Sequence, residues 1–397
     1  MGKAMRSALL TLLAASLGCA GPLPFEPAGP EAAPDPALHG PYAVGVRTVD
    51  LRDATRPNAQ TGEPRRLLTE VWYPAAEEAR GQPGAVYTLA DVLNPRAIAT
   101  ASITATVELG TEAVRDAAPY REGDGDGDAF PVVFFSHGSN GIRMQSLYLM
   151  TYLASHGYVV ISPDHEGNVL SDLLTDNGIP DAGLAAGLFF LRADDVRFLM
   201  EHFRALPAGD SLAGLLDFTR VGVAGHSFGA LTAVRVAGLS DPGHPVHMAI
   251  AQAPPKFGLS WLGVERPLSQ VGAALMIQGG ELDDTTPVED ARTYWPEAAR
   301  PRMELILATA GHFTFSDLCR LDPELVAQVV ATGVGDALDD GCGPNNIAPE
   351  EAYGVLRHYT IGALNHFLRR SPASADYLTQ DAVKALSPAP LTFRAEL

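Results

Sequence analysis

Six short, largely apolar runs, at residues 131–136, 158–162, 221–224, 248–251, 273–278 and 303–308, constrain the fold of this chain most. A strand with one wet face alternates apolar and polar residues, because successive side chains point to opposite sides. Runs without that alternation belong to strands covered on both faces, the usual condition of a parallel sheet. Helical stretches at 144–155, 193–206, 230–239 and 288–298 separate most of them. The alternation predicts one mostly parallel central sheet flanked by helices, an α/β class of fold. Val44, Val46, Val49 and Leu51, followed by residues 67–73, predict an antiparallel pair that opens the sheet. With 397 residues, 46% of them hydrophobic, the chain can bury one large core of this kind, assigned to residues 42–397.

Two segments, 85–128 and 165–192, interrupt the pattern. Insertions after the carboxyl ends of strands lie over the site of an α/β sheet, so these are placed to form a cap, or are plain surface loops. Asp124-Gly125-Asp126-Gly127-Asp128 invites a calcium reading, but Ala129 and Phe135 stand where a calcium loop needs Gly and Glu. A flexible acidic loop is the better expectation. No Cys/His cluster has metal-site spacing, so neither metal nor cofactor is expected. A net charge of −19 argues against nucleic acid or anionic membrane as a partner.

The N-terminus reads as a targeting segment over residues 1–20. Lys3 and Arg6 precede an apolar run at 8–17, too short to span a bilayer, and Gly18, Cys19 and Ala20 follow. Leu17-Gly18-Cys19 fits a lipoprotein box with Cys19 lipidated, which would anchor the protein in the cell envelope; ordinary cleavage after Ala20 is the alternative. The Pro- and Ala-rich stretch 21–41 reads as a disordered tether. In an oxidising compartment, Cys319 and Cys342 are then expected to pair.

Gly225-His226-Ser227-Phe228-Gly229 matches G-x-S-x-G and lies between an apolar run and a helical one. That context predicts a strand-to-helix elbow, with Ser227 held in a strained conformation at a helix N-terminus as a nucleophile. The base of such a site lies after the last strand, which selects His312 over the adjacent His226 and over His358 and His366 on a C-terminal helix. The acid should follow the preceding run, where Glu281, Asp283 and Asp284 compete; Asp283 is preferred. Backbone N–H groups of Phe228 and of Ser139, in His137-Gly138-Ser139, are the expected oxyanion donors.

The segments 134–138, 153–158, 225–229, 279–287 and 311–313 resemble bacterial α/β-hydrolases of the platelet-activating-factor acetylhydrolase-like group. They are also similar to proteins labelled predicted dienelactone hydrolases and, more distantly, to polyester hydrolases. In that group the Asp two residues before the Thr-Thr-Pro-like segment is the acid, which implies Asp283. Dienelactone hydrolases use Cys where this chain has Ser227, and polyester hydrolases usually carry Met where it has Phe228. The resemblance implies a serine hydrolase of small-molecule or lipid esters. An acyltransferase or polyester depolymerase could use the same residues, and a non-catalytic binding protein the same fold.

Overall fold

In five of the six runs neighbouring residues go to different cores, which is why those runs lack alternation; in 303–308, Met303, Leu305 and Leu307 all join one core. The computed structural model describes residues 34–58, 61–121, 129–175, 182–256, 267–321, 323–329 and 339–397. In β6 (Phe130–Ser136), Val133 and Phe135 join one apolar cluster, while Val132 and Phe134 join the other. The first cluster is closed by the helices Leu147–Ser155 and Pro349–Phe367, the second by Ala182–Arg204 and Phe228–Gly238. Each Val, Ile or Phe buried in this way contributes roughly 1.5–3 kcal/mol.

The other strands are β1 (Ala43–Pro57), β2 (Pro64–Ala75), β3 (Val86–Thr88), β4 (Glu108–Gly110), β5 (Val114–Arg115), β7 (Val159–Pro163), β8 (Leu216–His226), β9 (Met248–Gln252), β10 (Ala274–Gly280), β11 (Arg302–Leu307) and β12 (Leu391–Glu396). The main sheet has the order β12-β11-β10-β9-β8-β6-β7-β2-β1-β5, while β3 and β4 pair separately. From β7 to β11 every neighbouring pair is parallel; β1, β2 and β7 pair antiparallel in succession, as do β11 and β12. The chain order reverses at β6, which lies between β7 and β8. Ligands of open α/β sheets bind at such a switch point, beyond the carboxyl ends of the strands.

Several expectations need adjustment. The interrupting segment 165–192 holds the helix Leu170–Thr175 and the start of Ala182–Arg204, so the helix expected at 193 begins well before it. The helix expected over 288–298 is divided into Val288–Arg292 and Tyr294–Glu297. Pro296 has no N–H for the Arg292 carbonyl, and its ring crowds that carbonyl. Residues 36–40, within the stretch read as a tether, bond to the domain. The Pro36 carbonyl accepts from the Tyr152 hydroxyl at 3.2 Å, and the Gly40 N–H donates to Ser155 Oγ at 3.1 Å. The leader at 1–20, with Cys19, and the acidic run 124–128 lie outside the described residues.

The two insertions meet. Leu93, Ala97, Ile103, Ala105 and Val107 form a small apolar cluster with Leu174 and with Leu325 of the helix Pro323–Val329. Ser171 Oγ accepts from the Asn94 N–H at 2.9 Å, and Gln328 Oε1 accepts from the N–H groups of Thr104 and Ala105.

Candidate active site

β8 ends at His226, and the helix Phe228–Gly238 starts two residues later, so Ser227 alone makes the turn. Its backbone sits at φ 55°, ψ −122°, a region that L-residues rarely occupy. The flanking glycines make the turn sterically feasible. A Cβ on Gly229 would lie 1.9 Å from the Ser136 carbonyl oxygen, and one on Gly225 only 2.2 Å from that of Gly229. Ser227 is 9% exposed, and among the described residues its hydroxyl makes no hydrogen bond.

His312 follows β11 and Asp283 follows β10. His312 Nδ1 donates to Asp283 Oδ2 at 2.9 Å and lies 3.1 Å from Oδ1. Both residues are buried. Thr286 also holds the carboxylate: its N–H reaches Oδ1 at 2.6 Å, and its Oγ1 lies 2.9 Å from Oδ2 and 3.0 Å from His312 Nδ1. The structure therefore pairs His312 with Asp283. Glu281 instead faces Arg292, and Asp284 is exposed. His312 Nε2 has no hydrogen-bond partner among the described residues, so Ser227 and His312 are not bonded to each other in this structure.

His226 ties the elbow to the His312 loop. Its Nε2–H donates to the His312 carbonyl at 2.9 Å, and its Nδ1 accepts from Gln145 Nε2 at 2.9 Å. Burial, reinforced by the neighbouring His312, holds its ring well below the usual histidine range, so it stays neutral. Gln145 Oε1 in turn accepts the Gly138 N–H at 2.8 Å. One Gln–His bridge thus joins the loop after β6, the Ser227 elbow and the His312 loop. A Cβ on Gly138 would stand 3.5 Å from that of Ser227, which places this loop beside the elbow. Among the described residues, the N–H groups of Phe228 and Ser139 have no acceptor.

Beneath that loop lies a closed polar network. Ser136 Oγ donates to His165 Nε2 at 2.7 Å, and His165 Nδ1 donates to Asp195 Oδ2 at 2.8 Å. All three residues are buried. Burial, with the Arg192 charge second, pushes the His165 ring down to about 3. Burial alone would raise the Asp195 carboxyl, but hydrogen bonds from Arg65 and His165 outweigh it and keep the group ionised. Arg192, fully buried, donates to the His137 carbonyl and to Asn168 Oδ1, and lies 5.0 Å from the centroid of the Phe228 ring. Burial pushes its guanidinium down to about 9.

Cys319 and Cys342 form a disulfide close to the His312 turn, as the sequence suggested. Among the described residues no group of three or more His, Cys, Asp or Glu could hold a metal, and no helix is long and apolar enough to cross a membrane. Sequence reasoning did not find Gln145, Thr286 or Arg192. Thr286 carried a signal, since an Asp followed three residues later by Thr can close a side-chain-to-backbone turn.

The sheet order, with its positive-φ serine elbow after β8 and its His–Asp pair after β11 and β10, defines an α/β-hydrolase fold. The fold is shared with the ferulic acid esterase from Streptomyces cinnamoneus, at a TM-score of 0.65 and 24% identity, over 89% of this chain and 96% of that one. In sequence, the chain is similar to platelet-activating-factor acetylhydrolase-like α/β-hydrolases. The family model for platelet-activating factor acetylhydrolase, isoform II, matches residues 34–175, which include the loop after β6 but end before Ser227. A probable 1-alkyl-2-acetylglycerophosphocholine esterase from Arthroderma benhamiae is 24% identical over 216 residues, 49% of this chain. The chain spans about half, 52%, of that curated relative's length.

Proposed function

We propose that this chain is an exported serine hydrolase that cleaves carboxylic esters. The observation that carries the reading is the buried His312–Asp283 pair, tied through His226 to the strained Ser227 elbow. Ser227 Oγ attacks the ester carbonyl and passes its proton to His312 Nε2, the ring nitrogen that Asp283 leaves free. Asp283 stabilises the resulting imidazolium through Nδ1–H. The N–H groups of Phe228 and Ser139 receive the oxyanion, each contributing roughly 3 kcal/mol to transition-state stabilisation. Collapse expels the alcohol with the proton from His312; water, activated by the same base, then releases the acid.

The Ser–His hydrogen bond forms when an ester closes the site, since such contacts are often long in free enzymes. The apolar cluster of the two insertions acts as the cap that selects the ester. The names of the relatives point to different esters, one of acetic and one of ferulic acid, and their shared chemistry is the carboxylic ester bond. The leader with Cys19 directs export and envelope anchoring, and the disulfide suits an oxidising compartment. Ser227→Ala should abolish turnover of short p-nitrophenyl esters and fluorophosphonate labelling while leaving the thermal melt intact. Undiminished turnover by that variant would refute the reading.

A further inference from the structure

We propose that Asp340 is a positioning residue for the acid–base pair, one carboxylate that holds the Asp283 loop and the His312 loop in a fixed relation. The inference rests on the triad reading above and extends it to a residue outside the triad. The need arises where the sheet stops. The β10–β11 ladder ends at Gly280 and Leu307, and two further backbone bonds carry the pairing to Leu282. Beyond that point Asp283 and His312 stand on separate loops, and their hydrogen bond depends on how those loops are held.

Asp340 bonds to both. Its Oδ1 accepts from the His312 N–H at 2.8 Å and the Asp284 N–H at 3.2 Å. Its Oδ2 accepts from the Thr285 N–H at 2.9 Å and Thr285 Oγ1 at 2.7 Å. Its carbonyl accepts from the Phe313 N–H at 2.8 Å. Four donors match the roughly four lone-pair sites of an ionised carboxylate, and bonds to an ionised acceptor are about twice as strong as neutral ones. At 8% exposure the side chain is largely withdrawn from water, which would otherwise compete for those donors.

The backbone is fitted to this contact. A Cβ on Gly311 would come within 2.5 Å of the Gly341 nitrogen. Gly341 itself has φ +124°, and a Cβ there would lie 2.7 Å from the Thr314 nitrogen. Neither position admits a side chain, so the Asp340 segment is seated directly on the His312 turn. The Cys319–Cys342 bond then ties that segment to the chain leaving the turn.

The test separates positioning from folding. In the full chain, reactive serines of wild type, Asp340→Asn and Asp340→Glu are titrated with a fluorophosphonate, and kcat and KM are measured per titrated serine. Asn keeps the shape but presents an NH2 group to some of the four donors; Glu keeps the charge. Per-site kcat should fall roughly hundredfold in Asp340→Asn, the scale of an ångström-sized misplacement, with KM little changed. Glu should recover part of the loss. In an Asp283→Asn background, Asp340→Asn should lower kcat little further, because residues acting as one unit are not additive. Fewer titratable sites and a lower Tm with wild-type kcat per site would overturn the proposal, as would full additivity. Turnover that survives Ser227→Ala would instead overturn the triad reading, so the two failures are distinguishable.

Discussion

At the scale of single residues, three acidic side chains follow β10 within four positions, and their surroundings separate them. Asp283 is buried, receives His312 Nδ1–H and is held by Thr286, whereas Glu281 pairs with Arg292 at the surface. Asp283→Asn should therefore lower kcat by on the order of 10⁴-fold, because the amide favours the wrong histidine tautomer. Glu281→Gln should leave kcat/KM near wild type. Equal losses in steady-state assays of the two variants would contradict the assignment. As candidates, Ser227, His312 and Asp283 were legible in the sequence because each follows a recognisable strand in a fixed chain order. Gln145 and Asp340 were not. They act through contacts 81 and 28 residues away, to His226 and His312, and no local pattern marks such a contact.

The elements show a similar division. The parallel strands β6 to β10 were legible because both faces of each are apolar. β12 escaped notice because it is an edge strand whose Leu391, Phe393 and Ala395 pack on one side while polar residues alternate between them. Its partner β11, buried along most of its length, was plain in the sequence. The segment carrying Asp340 belongs to neither pattern, and the disulfide fastens it together with the Asp340 hydrogen bonds. Replacing both Cys319 and Cys342 by Ser should cost about 3 kcal/mol, given a sequence separation of 23 residues. Denaturant midpoints, with and without reductant, would check this: the variant should match reduced wild type. An unchanged midpoint would mean that the Asp340 contacts hold the segment without the covalent tie.

For the molecule as a whole, pH dependence of stability follows from its buried histidines. His156 and His165 are pushed down to about 3 by burial, and burial also places His137 and His226 well below the usual range. Each is neutral in the folded state but has an ordinary value near 6.5 when unfolded. Below about pH 6.5 the unfolded chain binds protons that the fold excludes, so this stability is present above that pH and lost on acidification towards pH 3. Each group can cost up to roughly 1.4 kcal/mol per pH unit across that window. Asp317 works in the opposite direction, since burial pushes its carboxyl up to about 6, so the folded state gains a proton first. The histidines outnumber it. The melting temperature should fall between pH 7 and pH 5, and a melting temperature that rises over that interval would show that the buried carboxyls dominate.

The chain contains the same three residue types in hydrogen-bonded series at Ser136, His165 and Asp195, sealed under the loop that leads to Ser139. A search by geometry alone would find that set before the one around Ser227, since its serine and histidine are already bonded. No carbonyl can reach it, and its hydroxyl proton is committed to a ring that burial keeps from charging. What separates the proposed engine from the rivet is access and unspent valence: among the described residues, the hydroxyl of Ser227 has no partner, whereas that of Ser136 does.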